Sequence, residues 1–110
     1  MNRLSRAVLL FALVSPAIAL ADDLPALVAE CESCHGPGGV STDPDVPSLA
    51  GKSETYIREV LDQFYYYERH CSTTTYRYGD KPKTPMSMCN VANSLSEADK
   101  EAVAKYFANQ

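Results

Sequence analysis

Cys31-Glu32-Ser33-Cys34-His35 constrains this chain more than any other five residues in it. On a helix, residues three apart lie on one face, so both sulfurs can reach one edge of a flat group while the adjacent histidine swings over its centre. Cys-x-x-Cys-His is the attachment pattern for a c-type haem: two thiols add across the vinyl groups, and the imidazole becomes an axial ligand of the iron. A zinc site needs four ligands, and a second Cys-x-x-Cys or His-x-His pair is absent. A thioredoxin-like pair would follow a strand in a βαβ unit, which the pattern does not contain.

The N-terminus fits export. Arg3 and Arg6 precede an apolar stretch from Ala7 to Leu13, and Ala19-Leu20-Ala21 is a small-x-small cleavage site. Residues 1–21 read as a secretory signal peptide and 22–110 as the mature domain. An uncleaved anchor is disfavoured because Ser15 and Pro16 interrupt a stretch shorter than the roughly 20 apolar residues that span a bilayer. The expected location is the periplasm, with no membrane insertion after cleavage. Removing Arg3 and Arg6 leaves 8 of the 10 basic residues against 14 acidic ones, a net charge of −6. Nucleic acid and anionic membranes are therefore poor partners. The mature length allows one compact domain, and a covalent haem gives so small a chain an apolar centre to pack around.

An all-α fold follows, with three main helices and long loops wrapped around one haem. The first helix is expected from about Leu24 to His35, with Pro25 in its first turn and Gly36-Pro37-Gly38-Gly39 ending it. The second runs from Ser53 or Glu54 to Glu68, with Ser53 as N-cap and Tyr56, Ile57, Val60, Leu61 and Phe64 on one face. The third begins at the capping-box variant Ser96-Glu97-Ala98-Asp99 and turns Ala98, Ala102, Val103, Tyr106 and Phe107 inward. Between the second and third helices, residues 70–93 read as irregular, without strand alternation.

A haem with one histidine ligand leaves a sixth position, for which Met86, Met88 and His70 are the downstream candidates. A thioether raises the reduction potential, a second histidine lowers it, and an open position would bind ligands. Met88 is the first choice, on a proline-containing loop shortly before the last helix. Cys71 and Cys89 remain after the haem takes two of four cysteines. In an oxidising compartment this even remainder suggests a disulfide, which would pin the loop beside Met88. Free thiols, or a soft-metal site such as copper built from Cys71, Cys89, His70 or Met86, are the alternatives. Arg69 is a candidate donor to a haem propionate. The tyrosines at 65–67, 76 and 78 are candidates for covering a haem edge or a partner surface.

Several segments taken in order carry a resemblance: CESCH-G, Pro47-Ser48-Leu49-Ala50-Gly51, Tyr56 and Phe64 on a helix, Glu68-Arg69, Met88-x-x-x-Ala92-x-x-Leu95-Ser96, and Ala104-Lys105-Tyr106-Phe107-Ala108. Together they make the chain resemble class I cytochromes c. More narrowly, it is similar to the haem subunit of flavocytochrome c sulfide dehydrogenase and to related short monohaem and dihaem cytochromes of bacterial periplasms. The resemblance implies His35 and Met88 as the axial pair, with Met86 two residues out of register, and first and last helices that cross beside the haem. Two departures stand out. Tyr67 occupies a place where those relatives commonly carry glycine before Glu-Arg, and the loop between Arg69 and Met86 is long.

The implied function is single-electron transfer, with no catalysis by this chain alone. As a haem subunit it would accept electrons from a sulfide-oxidising flavoprotein and pass them to other redox proteins. The flavin must belong to the partner, because this chain has no Gly-x-Gly-x-x-Gly fingerprint. The alternative is a free soluble shuttle to a terminal oxidase or reductase, and an open-site haem enzyme or gas sensor ranks last.

Overall fold

The computed structural model describes residues 7–13, 23–79 and 85–110. Of the expected leader, only 7–13 are described; they are irregular and exposed, and the remainder of 1–21 lies outside the described residues. Four α-helices, one 3-10 turn and a two-residue ribbon make up the regular structure among them.

α1 spans Leu24–His35, with Pro25 in its first turn, as expected. It stops at Gly36, whose φ of 86° lies in the left-handed region. A Cβ there would come within 2.1 Å of the Val40 carbonyl oxygen, so no other residue lets the chain double back so tightly. The 3-10 turn Pro37–Gly39 follows, and Gly39 is equally constrained, because a Cβ would meet the Phe107 ring at 2.7 Å. The loop after the haem motif is thereby pressed onto the last helix.

α2 spans Glu54–Tyr65, and the Ser53 hydroxyl accepts from the Tyr56 amide. It ends three residues before the expected Glu68. The Glu68 amide bonds to the Gln63 carbonyl and the Tyr67 amide to the Phe64 carbonyl, a Schellman ending. Its left-handed position holds Tyr67, at φ 56°, rather than a glycine.

The region expected to be irregular contains two unpredicted features. Thr73–Thr74 (β1) pairs antiparallel with Met86–Ser87 (β2), and Met88–Ser94 forms a short helix, α3, with Ser87 as its N-cap. Met88 therefore opens a helix instead of sitting on a loop. At seven residues, α3 is too short to show a helical period, and a two-residue strand cannot show alternation.

α4 spans Glu97–Ala108 and begins with the expected capping box, formed by Ser96 and Asp99. It packs against both α1 and α2, while α3 packs on α2. Val28, Ile57, Leu61, Val103, Ala104 and Phe107 form the buried core. Each large apolar side chain buried this way contributes roughly 1.5–3 kcal/mol. The inward face of α4 is turned slightly from the expected one. Ala104, Asp99 and Lys100 are buried, whereas Ala98, Ala102 and Tyr106 are only half-buried.

Lys100 is 1% exposed because its ammonium is fully engaged. It donates to Asp62 at 2.8 Å and Glu97 at 2.6 Å, and lies 4.5 Å from the centre of the Tyr65 ring. Burial pulls its pKa down, but the two carboxylates more than offset this and leave it raised. Arg58 also pairs with Glu97 and Asp62, closing a charged seam between α2 and α4.

Candidate functional site

The helices and loops enclose a cavity of about 470 Å³, within the range of ligand and cofactor sites. Ile57, Val60, Leu61 and Phe64 from α2, Val91 from α3, and Val103 and Phe107 from α4 supply its apolar wall. Cys31, Cys34 and His35 enter from the end of α1, while Met86 and Met88 enter from β2 and the start of α3. The chain thus gathers one motif and two candidate ligands, separated by some fifty positions, into one apolar pocket.

His35 is buried, and its Nδ1 lies 2.6 Å from the Pro47 carbonyl oxygen. A carbonyl can only accept, so Nδ1 carries the proton and Nε2 keeps its lone pair. Burial lowers the pKa of the imidazole, against the opposing pull of that carbonyl. A neutral imidazole held by a backbone acceptor is the form that ligates a metal. The Gly36–Gly39 turn is what returns the chain so that Pro47 can reach it. The Gly39 carbonyl accepts from the Leu49 and Ala50 amides, and Glu32 accepts from the Gly38 amide.

Cys31 and Cys34 are not joined to each other. Burial pushes the Cys31 thiol up to about 12, and neighbouring Glu30 adds to this; Cys34 is also raised, chiefly by burial. A redox-active or zinc-binding pair needs easily formed thiolates, usually with depressed values. A pair held as thioethers has no need of such a depressed value. In that form Cys34 has no proton to share, so its 3.9 Å contact with the Thr75 carbonyl would remain only as packing.

Cys71 and Cys89 form a disulfide, with Cα atoms 5.8 Å apart. That removes both sulfurs from the copper alternative, and no group of three or more His, Cys, Asp or Glu able to hold a metal occurs among the described residues. Arg69 and His70 line the pocket but are exposed. The Arg69 guanidinium lies over the Phe64 ring, 5.6 Å from its centre. Of the tyrosines expected at a haem edge, Tyr76 lines the pocket. Tyr65 instead faces Lys100 and Tyr66, while Tyr66 and Tyr67 are exposed. Tyr56, expected on the apolar face of α2, is exposed yet also lines the pocket.

An apolar pocket that carries a Cys-x-x-Cys-His helix end, bounded by packed helices, defines a haem-binding electron-transfer domain. Residues 25–110 match the model of the cytochrome c family, and this chain belongs to that family, whose members carry covalently bound haem c and transfer electrons. The chain is similar to the thiosulfate dehydrogenase electron acceptor of Stutzerimonas stutzeri (strain A1501), with 32% identity over 83 residues, covering 74% of this chain and 33% of that protein. It is also similar to cytochrome c4 of Pseudomonas aeruginosa, with 33% identity over 85 residues, covering 77% of this chain and 35% of that protein. A thiosulfate dehydrogenase electron acceptor of Thiomonas intermedia (strain K12) is 28% identical over 94 residues, covering 84% and 38%. The chain spans about a third of the length of these relatives. No described helix is long and apolar enough to cross a membrane.

Proposed function

We propose that this protein is an exported, periplasmic c-type cytochrome with one haem that accepts single electrons from an oxidoreductase acting on a reduced sulfur compound. The observation that carries this reading is the convergence of the Cys31-x-x-Cys34-His35 helix end with Met86 and Met88 in one apolar pocket. Cys31 and Cys34 would hold the haem as thioethers, and His35 would ligate the iron through Nε2. Met88 would complete the coordination. It is half-buried against the core cluster and fixed at the first turn of α3 by the Ser87 cap, whereas Met86 sits in the ribbon. Arg69, which lines the pocket, would donate to a propionate.

When bound, the haem supplies a one-electron couple. The chain's own residues would supply an apolar surrounding, an oriented imidazole and a methionine held at the start of a capped helix, so that little has to move when the charge changes. The flavoprotein partner expected from the sequence belongs to this reading in its sulfide form, while two relatives are named for thiosulfate dehydrogenase and support the thiosulfate form. A free shuttle to a terminal oxidase or reductase remains the alternative.

Anaerobic mixing of the oxidised holoprotein with catalytic amounts of a thiosulfate dehydrogenase or a sulfide-oxidising flavoprotein, each with its own substrate, tests the reading. Rapid haem reduction in at least one mixture supports it. Reduction in neither, together with fast exchange with an oxidase, would favour the shuttle. Met88→Ala is expected to abolish the methionine-ligated spectrum and lower the potential, while an unchanged spectrum would move the assignment to Met86 or His70.

A further inference from the structure

The long loop that sets this chain apart is fastened along the cysteine side of the pocket. Ser33 lies between the two cysteines, and the helical partner of its carbonyl would be the amide of Pro37, which has no N–H. Residues 72–79 fill that gap: the Arg77 and Tyr78 amides both donate to the Ser33 carbonyl, at 2.8 and 2.9 Å. The Tyr76 hydroxyl donates to Glu30 at 2.5 Å. On the opposite side Arg77 pairs with Asp43 at 2.9 Å, and the Tyr78 hydroxyl shares a 2.6 Å hydrogen bond with Thr42. The segment is therefore tied both to α1 and to the loop after it. Thr74 and Tyr76 join Glu30, Cys31 and Cys34 in lining the pocket.

We propose that this strap controls electron access to the cysteine edge of the cofactor, with Tyr76 as the positioning residue that keeps it closed. The inference rests on the haem reading above. A donor approaching this side meets the strap, so exchange there depends on a partner that fits the strap surface or on its opening. The step concerned is the passage of one electron from a reduced donor to the oxidised haem; no bond is made or broken. The strap's cation, Arg77, is paired with Asp43 of the loop after α1, and the Glu30 carboxylate accepts from the Tyr76 hydroxyl, so both ties run from the strap to its surroundings.

The test uses the oxidised holoprotein and hexaammineruthenium(II), a small hydrophilic one-electron reductant, followed by stopped-flow absorbance. Hydrogen exchange of the Arg77 and Tyr78 amides is measured on the same samples. Loss of a hydrogen bond to a charged acceptor shifts an opening equilibrium by about tenfold. Tyr76→Phe, which keeps the ring in the pocket and removes only the hydroxyl that binds Glu30, is therefore expected to speed both reduction and amide exchange by about tenfold, with the c-type haem spectrum retained. Arg77→Gln, which releases the opposite side, is expected to act in the same direction. Faster amide exchange with wild-type reduction rates in both variants would overturn the proposal, and so would unchanged values of both. A wild-type protein without a c-type haem spectrum would instead be a failure of the functional reading beneath it.

Discussion

Tyr67→Gly should make this protein more stable, although it deletes a tyrosine side chain just past the end of α2. Tyr67 holds the left-handed position of the Schellman ending, at φ 56°. A side chain in that conformation costs roughly 1–2 kcal/mol. Glycine escapes this cost but loses about 0.5–1 kcal/mol through the greater freedom of its unfolded chain. Because the Tyr67 side chain is 70% exposed, its removal gives up little burial. The balance is a gain of about 0.5–1 kcal/mol, which for a domain of this size raises Tm by about 2–8 °C. Tyr67→Ala keeps the strain and serves as the control, with no gain expected. Thermal unfolding of the holoprotein followed by circular dichroism reads both variants. A lower Tm for Tyr67→Gly, or equal shifts for the two, would refute the strain argument and imply that the ring contributes packing that the exposure does not show.

Other expectations follow from the same geometry. Cys71→Ser with Cys89→Ser opens a link across a separation of 18 positions and should lower the unfolding free energy by about 3 kcal/mol in denaturant titration. Phe107→Ala removes a ring that is 1% exposed and packed on Gly39; a loss of about 3–5 kcal/mol is expected in the same assay, and a loss under about 1 kcal/mol would contradict the core described above. Tyr76 is held up at about 12, first by its hydrogen bond to Glu30, against an ordinary 10.0. A phenol raised on folding adds stability that is full below pH 10 and is lost as pH rises through about 12. Ultraviolet titration should therefore show one late-ionising tyrosine that Tyr76→Phe removes.

What the sequence disclosed was local. The haem motif, the Ser53 cap and the Ser96–Asp99 capping box each depend on residues within four positions, and all three lie where their spacing puts them. The second-helix face was legible from Ile57, Val60, Leu61 and Phe64, because its apolar period runs three turns. α3 was not, because seven residues leave only the Ser87 cap as a signal. Burial of Lys100 could not be read from α4 alone, since Asp62 and Arg58 come from a helix almost forty positions away. The strap left one faint trace: Pro37, four residues after Ser33, strips a helical carbonyl of its donor and so announces that something else must supply one. What supplies it is set by tertiary structure, and so are the places of Tyr65 and Tyr76, which look alike in a tyrosine-rich sequence.

The central claim is that one haem is held covalently by Cys31 and Cys34. Intact mass measurement of the acid-denatured protein, purified from the periplasm of a host able to attach haem, tests it most directly. The expected mass is that of residues 22–110 plus a single haem, lost in Cys31→Ser with Cys34→Ser. A chain that carries no added haem and alkylates at both cysteines would contradict the account.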